Sequence, residues 1–287
     1  MSLADFASSS GVTDPGSISV RETNFPVGVR FLPQSVRPQV AAFYAFARAA
    51  DDIADSPLLP ADEKLARLGA LGEALSGEAP DMAETAPARH LRAILNGAGI
   101  PLDHAQHLLQ AFKWDALGKP CRGWSDLLAY CRYSAAPVGR FLLDLFGESK
   151  AHGPAADALC SALQILDHVQ DCREDYVTLG RSYIPLEWMA RERLDISLLG
   201  DDKAGPGLRP IFDRVLDGVD RLLAAAQPLP AGVASFSLRV QAGVTLSLAL
   251  RLAARLRRED PMGRRVGLSR LDWFAAILHG LWRGVRR

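Results

Sequence analysis

The sequence predicts an all-α fold, and three observations carry that expectation. Of 287 residues, 48% are hydrophobic, enough for a substantial buried core. Long stretches are rich in Ala, Leu and Arg, which are strong helix formers. The 24 glycines and 18 prolines gather in short clusters between those stretches, as loops between helices would require.

The elements follow in chain order. Residues 1–20 are expected to be a flexible N-terminal segment, and 21–287 one helical domain, since no composition shift or fixed-period repeat divides them. Thr23-Asn24-Phe25-Pro26-Val27 and Phe31-Leu32-Pro33 make an apolar approach to a first long helix over 35–56. Ser56-Pro57 stops that helix, because proline disfavours helical geometry at the residue before it. Further helices are expected near 61–76, 88–98, 101–117, 124–147 with an interruption at Pro137, 154–178, 185–192, 208–226, 234–258 and 269–285. The breaks carry Gly or Pro clusters, such as Gly147 to Pro154 and Gly200 to Pro210.

Composition removes several function classes. The 33 basic and 33 acidic residues cancel, so no overall positive field exists to gather a nucleic acid. The basic set is five Lys and 28 Arg, and Arg is the better bidentate partner for phosphate. Cys121, Cys131, Cys160 and Cys172 form no C-x-x-C pair and are expected to be reduced thiols in helices. The longest uncharged stretch, Leu222 to Leu238, contains Pro228, Pro230 and Gly232, which would break a membrane-spanning helix. Ser8-Ser9-Ser10-Gly11 stands where a signal peptide needs an apolar core, so a cytoplasmic location is expected.

Two constellations carry chemistry. In the first, Tyr44, Arg48, Asp51 and Asp55 fall within about 60° of one another on a helix, with Asp52 at the edge of the stripe. Phe43, Phe46, Ala50 and Ile53 occupy a separate apolar face. This pattern suits either a metal-binding face or a solvated one with an Arg48–Asp52 pair. In the second, Asp167, Asp171 and Asp175 repeat at i, i+4 and i+8, with Glu174 beside them. Each such pair at about 6 Å and an effective dielectric near 20 repels by roughly 3 kcal/mol before solvent relaxes, so a bound cation is the natural relief.

Oxygen-only donors with no converging His or Cys favour a hard divalent ion, Mg²⁺ before Ca²⁺. Thr178-Leu179-Gly180-Arg181-Ser182-Tyr183 leaves the second strip through a glycine and sets Arg181 near its carboxylate end. Metal and arginine together would hold a diphosphate and neutralise it as a leaving group. Weaker candidates are Lys113, which suits a phosphate or plain solvent; Tyr130 to Gly139, which suits helix packing and a kink; and His168, read as structural.

At these residues the chain resembles the squalene/phytoene synthase family. The resemblance rests on Tyr44-Ala-Phe-Ala-Arg48 before Asp51-Asp52-Ile53-Ala54-Asp55, on Gln164 to Asp175, on Arg181-Ser182-Tyr183-Ile184-Pro185, and on Tyr130-Cys131 with Val138-Gly139. It covers about residues 20 to 285 and implies the isoprenoid synthase fold, helices around a central apolar cavity with two facing Asp-rich helices. Asn24-Phe25-Pro26-Val27 and Leu268-Ser269-Arg270-Leu271-Asp272-Trp273 are most similar to the branch acting on presqualene diphosphate. That activity is ionisation, rearrangement of the cyclopropylcarbinyl cation, and water capture to give hydroxysqualene. The alternative within the family is head-to-head condensation of two prenyl diphosphates to presqualene diphosphate, squalene or phytoene.

Carried over residue by residue, the resemblance implies that Asp51, Asp55, Asp171 and Asp175 hold up to three Mg²⁺ ions with Asp52 and Asp167 in support. Arg48 and Arg181 would contact diphosphate, with Lys113 a further candidate from the residues alone, and Tyr44, Tyr130 and Tyr183 would line the cation's path or hold its leaving group. Asp167 stands where the family usually has Asn. No NADPH is expected, and the neighbouring activities would be a presqualene diphosphate synthase and a squalene-forming reductase. At the C-terminus, Phe274, Ile277, Leu278, Leu281, Trp282 and Val285 form an apolar stripe followed by Arg286 and Arg287. The stripe suits either an ordinary terminal helix packed on the core or a peripheral contact with an anionic membrane on the inner face of the cell.

Overall fold

A computed structural model describes residues 32–78 and 82–285. The expected flexible segment 1–20 and the approach through Asn24-Phe25-Pro26 lie outside the described residues. Thirteen α-helices and no strand occur among the described residues: α1 (Arg37–Asp55), α2 (Ala61–Ser76), α3 (Ala86–Ala98), α4 (Asp103–Ala116), α5 (Trp124–Ser134), α6 (Ala136–Leu145), α7 (Gly153–Gln170), α8 (Cys172–Leu179), α9 (Leu186–Arg191), α10 (Arg209–Ala226), α11 (Leu229–Gly232), α12 (Phe236–Leu256) and α13 (Arg270–Val285). Every helix expected from the sequence is present, and the short α11 was not foreseen.

Three local departures from expectation have physical causes. The stretch read as one helix over 124–147 divides at Ala135, not at Pro137. Proline has no N–H to give the preceding turn, so it sits in the first turn of a new helix instead. The stretch read as 154–178 divides at Asp171, whose backbone leaves helical geometry at φ −104° and ψ 8°. Cys121 lies in the segment before α5 rather than in a helix, where its carbonyl accepts from the N–H of Leu186.

Buried apolar residues form two clusters. One joins α1 to α4 through Phe46, Leu68, Leu91 and Leu108. The other joins α5, α7 and the helices that follow through Leu127, Ile165, Phe212 and Leu248. On α1, Val40, Phe43, Phe46, Ala47, Ala50 and Ala54 are buried, an apolar stripe that leaves Asp51 and Asp55 on the adjoining face. Helix α6 belongs to both clusters: Phe141 stacks on Phe43 at 4.2 Å between ring centres, while Leu143 faces the other core. The seam between the clusters is where the carboxylate helices meet.

Candidate active site

One cavity lies on that seam. Asp51 and Asp55 reach it from α1, Asp167 from α7, Asp171 from the α7–α8 junction and Asp175 from α8. Asp115, Tyr130, Gln164, His168, Arg181 and Tyr183 line it with them. The break at Asp171 keeps the ladder going on both sides, since Asp171 N–H donates to Asp167 at 2.9 Å and Asp175 N–H to Asp171 at 2.8 Å. The strip therefore bends without losing its alignment.

Arginines from two directions neutralise these acids. Gly180 turns left-handed at φ 63°, a conformation glycine adopts freely, and Arg181 then points back to α1. Its guanidinium donates to the Asp55 carboxylate and, at 2.7 Å, to the Ala54 carbonyl. Burial draws the Arg181 pKa down, but Asp115, Asp55 and Tyr183 outweigh it and raise the value, so the group stays charged. Arg265, from the segment joining α12 to α13, donates to both oxygens of Asp171 at 2.7 and 2.9 Å and to Asp167 at 3.3 Å. Its Nε is buried with no hydrogen-bond acceptor.

A second network runs through Asp115. The hydroxyls of Tyr130 and Tyr183 donate to its two oxygens at 2.8 and 2.7 Å. Burial pushes the Asp115 carboxyl up to about 7, against the opposing pull of Arg181 and the two tyrosine hydrogen bonds. Tyr183 stacks on His168 with ring centres 3.6 Å apart, and His168 Nδ1 lies 3.8 Å from Asp175. Burial holds the His168 pKa below its usual value, although Asp175 raises it. The tyrosines are thereby tied to the acidic strip through one stacked ring.

Four candidate residues do not line this cavity. Arg48 pairs with Asp52 at 2.9 Å and approaches Asp51 at 3.9 Å on the outer face of α1. Tyr44 is half-buried one turn earlier on that helix, and Lys113 is half-buried on α4. Conversely, Asp115 and Arg265 line or touch the site and were not foreseen as members. A carboxyl two residues after Lys113 on an apolar helix was the available sign for Asp115; Arg265 had none.

The donor set suits a hard divalent cation: six carboxylates, the five of the two acidic strips and Asp115, line one cavity, with no thiol among its lining groups. Among the described residues, no three His, Cys, Asp or Glu side chains are gathered so as to hold a metal ion, and Arg181 and Arg265 engage Asp55, Asp167 and Asp171. An anionic ligand drawing those guanidiniums away would release carboxylate oxygens to a metal.

An apolar chamber adjoins the acidic cavity. Val138, Gly139 and Leu142 of α6, Ala156, Leu159 and Leu163 of α7, and Leu238, Ala242 and Thr245 of α12 line it. Leu163 faces the chamber and its neighbour Gln164 the acidic cavity, so the two spaces lie side by side along α7. A Cβ on Gly139 would lie 2.8 Å from the Cys160 sulfur, so glycine permits the close approach of α6 and α7 here.

An all-helical fold that sets an oxygen-rich, arginine-flanked cavity beside an apolar chamber is of the isoprenoid synthase class. The chain belongs to the squalene/phytoene synthase family, whose model matches residues 20–272. It is 40% identical to a hydroxysqualene synthase of Sinorhizobium fredii over 91% of this chain and 87% of that one. To a hydroxysqualene synthase of Rhodopseudomonas palustris it is 38% identical, over 89% of this chain and 87% of the other. Among solved structures, the squalene synthase HpnC of Alicyclobacillus acidocaldarius aligns with a TM-score of 0.70 at 30% identity, covering 82% of this chain and 88% of that one.

Proposed function

We propose that the protein is a hydroxysqualene synthase. In this reading presqualene diphosphate loses diphosphate, its cyclopropylcarbinyl cation rearranges to a 1'-1 linked allylic cation, and water adds. The products are hydroxysqualene, diphosphate and a proton. The observation that carries the proposal is the pairing of an acidic, arginine-flanked cavity with an apolar chamber along one helix. Relatives named hydroxysqualene synthase at 35–40% identity support the choice of reaction within the family.

Asp51, Asp55, Asp171 and Asp175, with Asp52 and Asp167 in support, are the residues that would hold up to three Mg²⁺ ions. Bound there, the ions supply positive charge that stabilises diphosphate as it leaves. Arg181 and Arg265 stand at the carboxylates, so either guanidinium needs only to turn to meet a diphosphate oxygen. Arg48 and Lys113 stand outside the lining and would act at its rim. Tyr130 and Tyr183 have their hydroxyl protons committed to Asp115, which leaves oxygen lone pairs and ring faces to stabilise a passing cation. Tyr44 would support that path from α1. The proton lost from the capturing water can pass through a tyrosine hydroxyl to Asp115, whose carboxyl burial raises to about 7. The chamber keeps bulk water from the hydrocarbon until that step.

This activity needs a synthase to supply presqualene diphosphate and a reductase to consume hydroxysqualene, and it needs no NADPH. Purified protein with Mg²⁺ should convert presqualene diphosphate to hydroxysqualene without NADPH and should leave farnesyl diphosphate unchanged. Consumption of farnesyl diphosphate to a condensed product would favour the head-to-head reaction instead. No consumption of either would refute the enzyme reading.

A further inference from the structure

Helix α13 is apolar on two opposite faces. Its inner face packs on α12 so closely that a Cβ on Gly280 would lie 2.8 Å from the Val244 backbone nitrogen and 2.9 Å from the Val240 carbonyl oxygen. Ala276 is fully buried on the same side. The outer face carries Leu271, Phe274, Leu278, Leu281 and Trp282, which at helical spacing span about 100° of arc. They are 79, 63, 52, 41 and 51% exposed. Phe236, at the start of α12 and 55% exposed, extends this surface, since a Cβ on Gly284 would meet its ring at 3.4 Å. Scattered exposed apolar residues are ordinary, whereas a continuous helical stripe of large ones marks a surface built for contact.

The charge beside the stripe is net positive. Asp272 is the acid of α13, and it is engaged by Arg255 at 2.6 Å, Arg251 at 3.5 Å and the Ser269 hydroxyl. Arg270 is exposed beside the stripe, Arg251 shares Asp272 with Arg255, Arg283 donates to the Gln227 amide oxygen at 3.1 Å, and the sequence continues into Arg286-Arg287. His279, between these groups, has its pKa lowered by burial and then by Arg283 and Arg251. Two copies joined through this face would bring like charges together. An anionic surface would not.

We propose that the outer face of α13, with Phe236, lies on an anionic lipid bilayer, its apolar side chains among the upper acyl chains and its arginines at the headgroups. Among the described residues no helix is long and apolar enough to cross a membrane, so the contact is peripheral. Helix α12 gives Ala242 and Thr245 to the apolar chamber and Val244 to the inner face of α13, so α12 alone stands between the chamber and α13. The surface itself stands independently of the reaction proposed above.

Flotation of the full-length protein with phosphatidylcholine vesicles, with and without phosphatidylglycerol, tests this. The protein should float with the anionic vesicles, and less so as salt rises. A variant carrying Phe274→Ser, Leu278→Ser and Trp282→Ser should bind about tenfold more weakly while keeping wild-type helicity and basal turnover. Should that variant fail to fold, the milder Trp282→Phe supplies the readout: the wild-type minus variant emission should shift to the blue when anionic vesicles are added. Equal flotation of wild type and triple variant, no flotation of wild type, an unshifted Trp282 signal, or a lipid-free dimer that the substitutions split would each overturn the proposal.

Discussion

Burial sets the chemistry of Asp115. Its carboxyl ionises near the ordinary acid value in the unfolded chain and at about 7 in the folded protein. Below about pH 4 both states hold the proton and the site costs nothing. As pH rises through 7 the unfolded state ionises first, so stability falls across this window. The span corresponds to about 4 kcal/mol at most. Asp115→Asn should abolish that slope: the wild-type minus variant difference in unfolding free energy, from urea midpoints, should decline between pH 4 and 7. His168 acts in the opposite sense, since its lowered pKa removes stability as pH falls below its unfolded value, but it is present in both proteins. Identical slopes in the two would mean that Asp115 is ionised in the folded state. At Asp171, Arg265 holds both oxygens that the proposed metal would need. Asp171→Asn, like Asp51→Asn, should lower turnover by about a thousandfold with helicity near normal, a loss typical of a missing electrostatic contact to the leaving group. Retained activity in both variants would place the metal elsewhere.

Helix spacing made much of the site legible in advance. Asp51 with Asp55, and Asp167 with Asp171 and Asp175, are four residues apart, a local periodicity that survives even the bend at Asp171. Gly180 followed by Arg181 announced a turn, and the turn does carry Arg181 to Asp55. Arg265 was illegible because it arrives from 94 and 98 residues beyond its partners, on a segment with no period of its own. The break at Ala135 was displaced from its proline because a proline shapes the turn before it as well as its own position. The α12–α13 contact was equally hidden, since nothing in the sequence pairs Gly243 with Gly280, which meet where the two helices pack. Gly280→Ala would place a methyl within 3 Å of backbone atoms of α12, which cannot rotate away. Thermal or urea unfolding should show a loss of about 1–3 kcal/mol. A stability equal to wild type would mean that the two helices separate more readily than their packing implies.

At the scale of the whole molecule, function follows from having two cores rather than one. The α1–α4 cluster carries Asp51, Asp55 and Asp115 and the larger C-terminal cluster carries Asp167, Asp171 and Asp175, so the cavity exists only where the two meet. Helix α6 bridges them and walls the chamber, with Phe141 on Phe43 in one direction and Leu142 toward the apolar space in the other. Polar chemistry at the seam and hydrocarbon binding within the C-terminal core should therefore be separable by substitution. Ala242 lines the chamber from α12, away from every carboxylate of the seam. Ala242→Phe would occupy space that the proposed reading gives to the hydrocarbon. Turnover of presqualene diphosphate should drop by at least about tenfold, while inorganic pyrophosphate with Mg²⁺, measured by calorimetry, should bind as in wild type. If pyrophosphate binding fell as well, the two spaces would be coupled through α7. If turnover were unchanged, the hydrocarbon would have to lie along a different path from the seam.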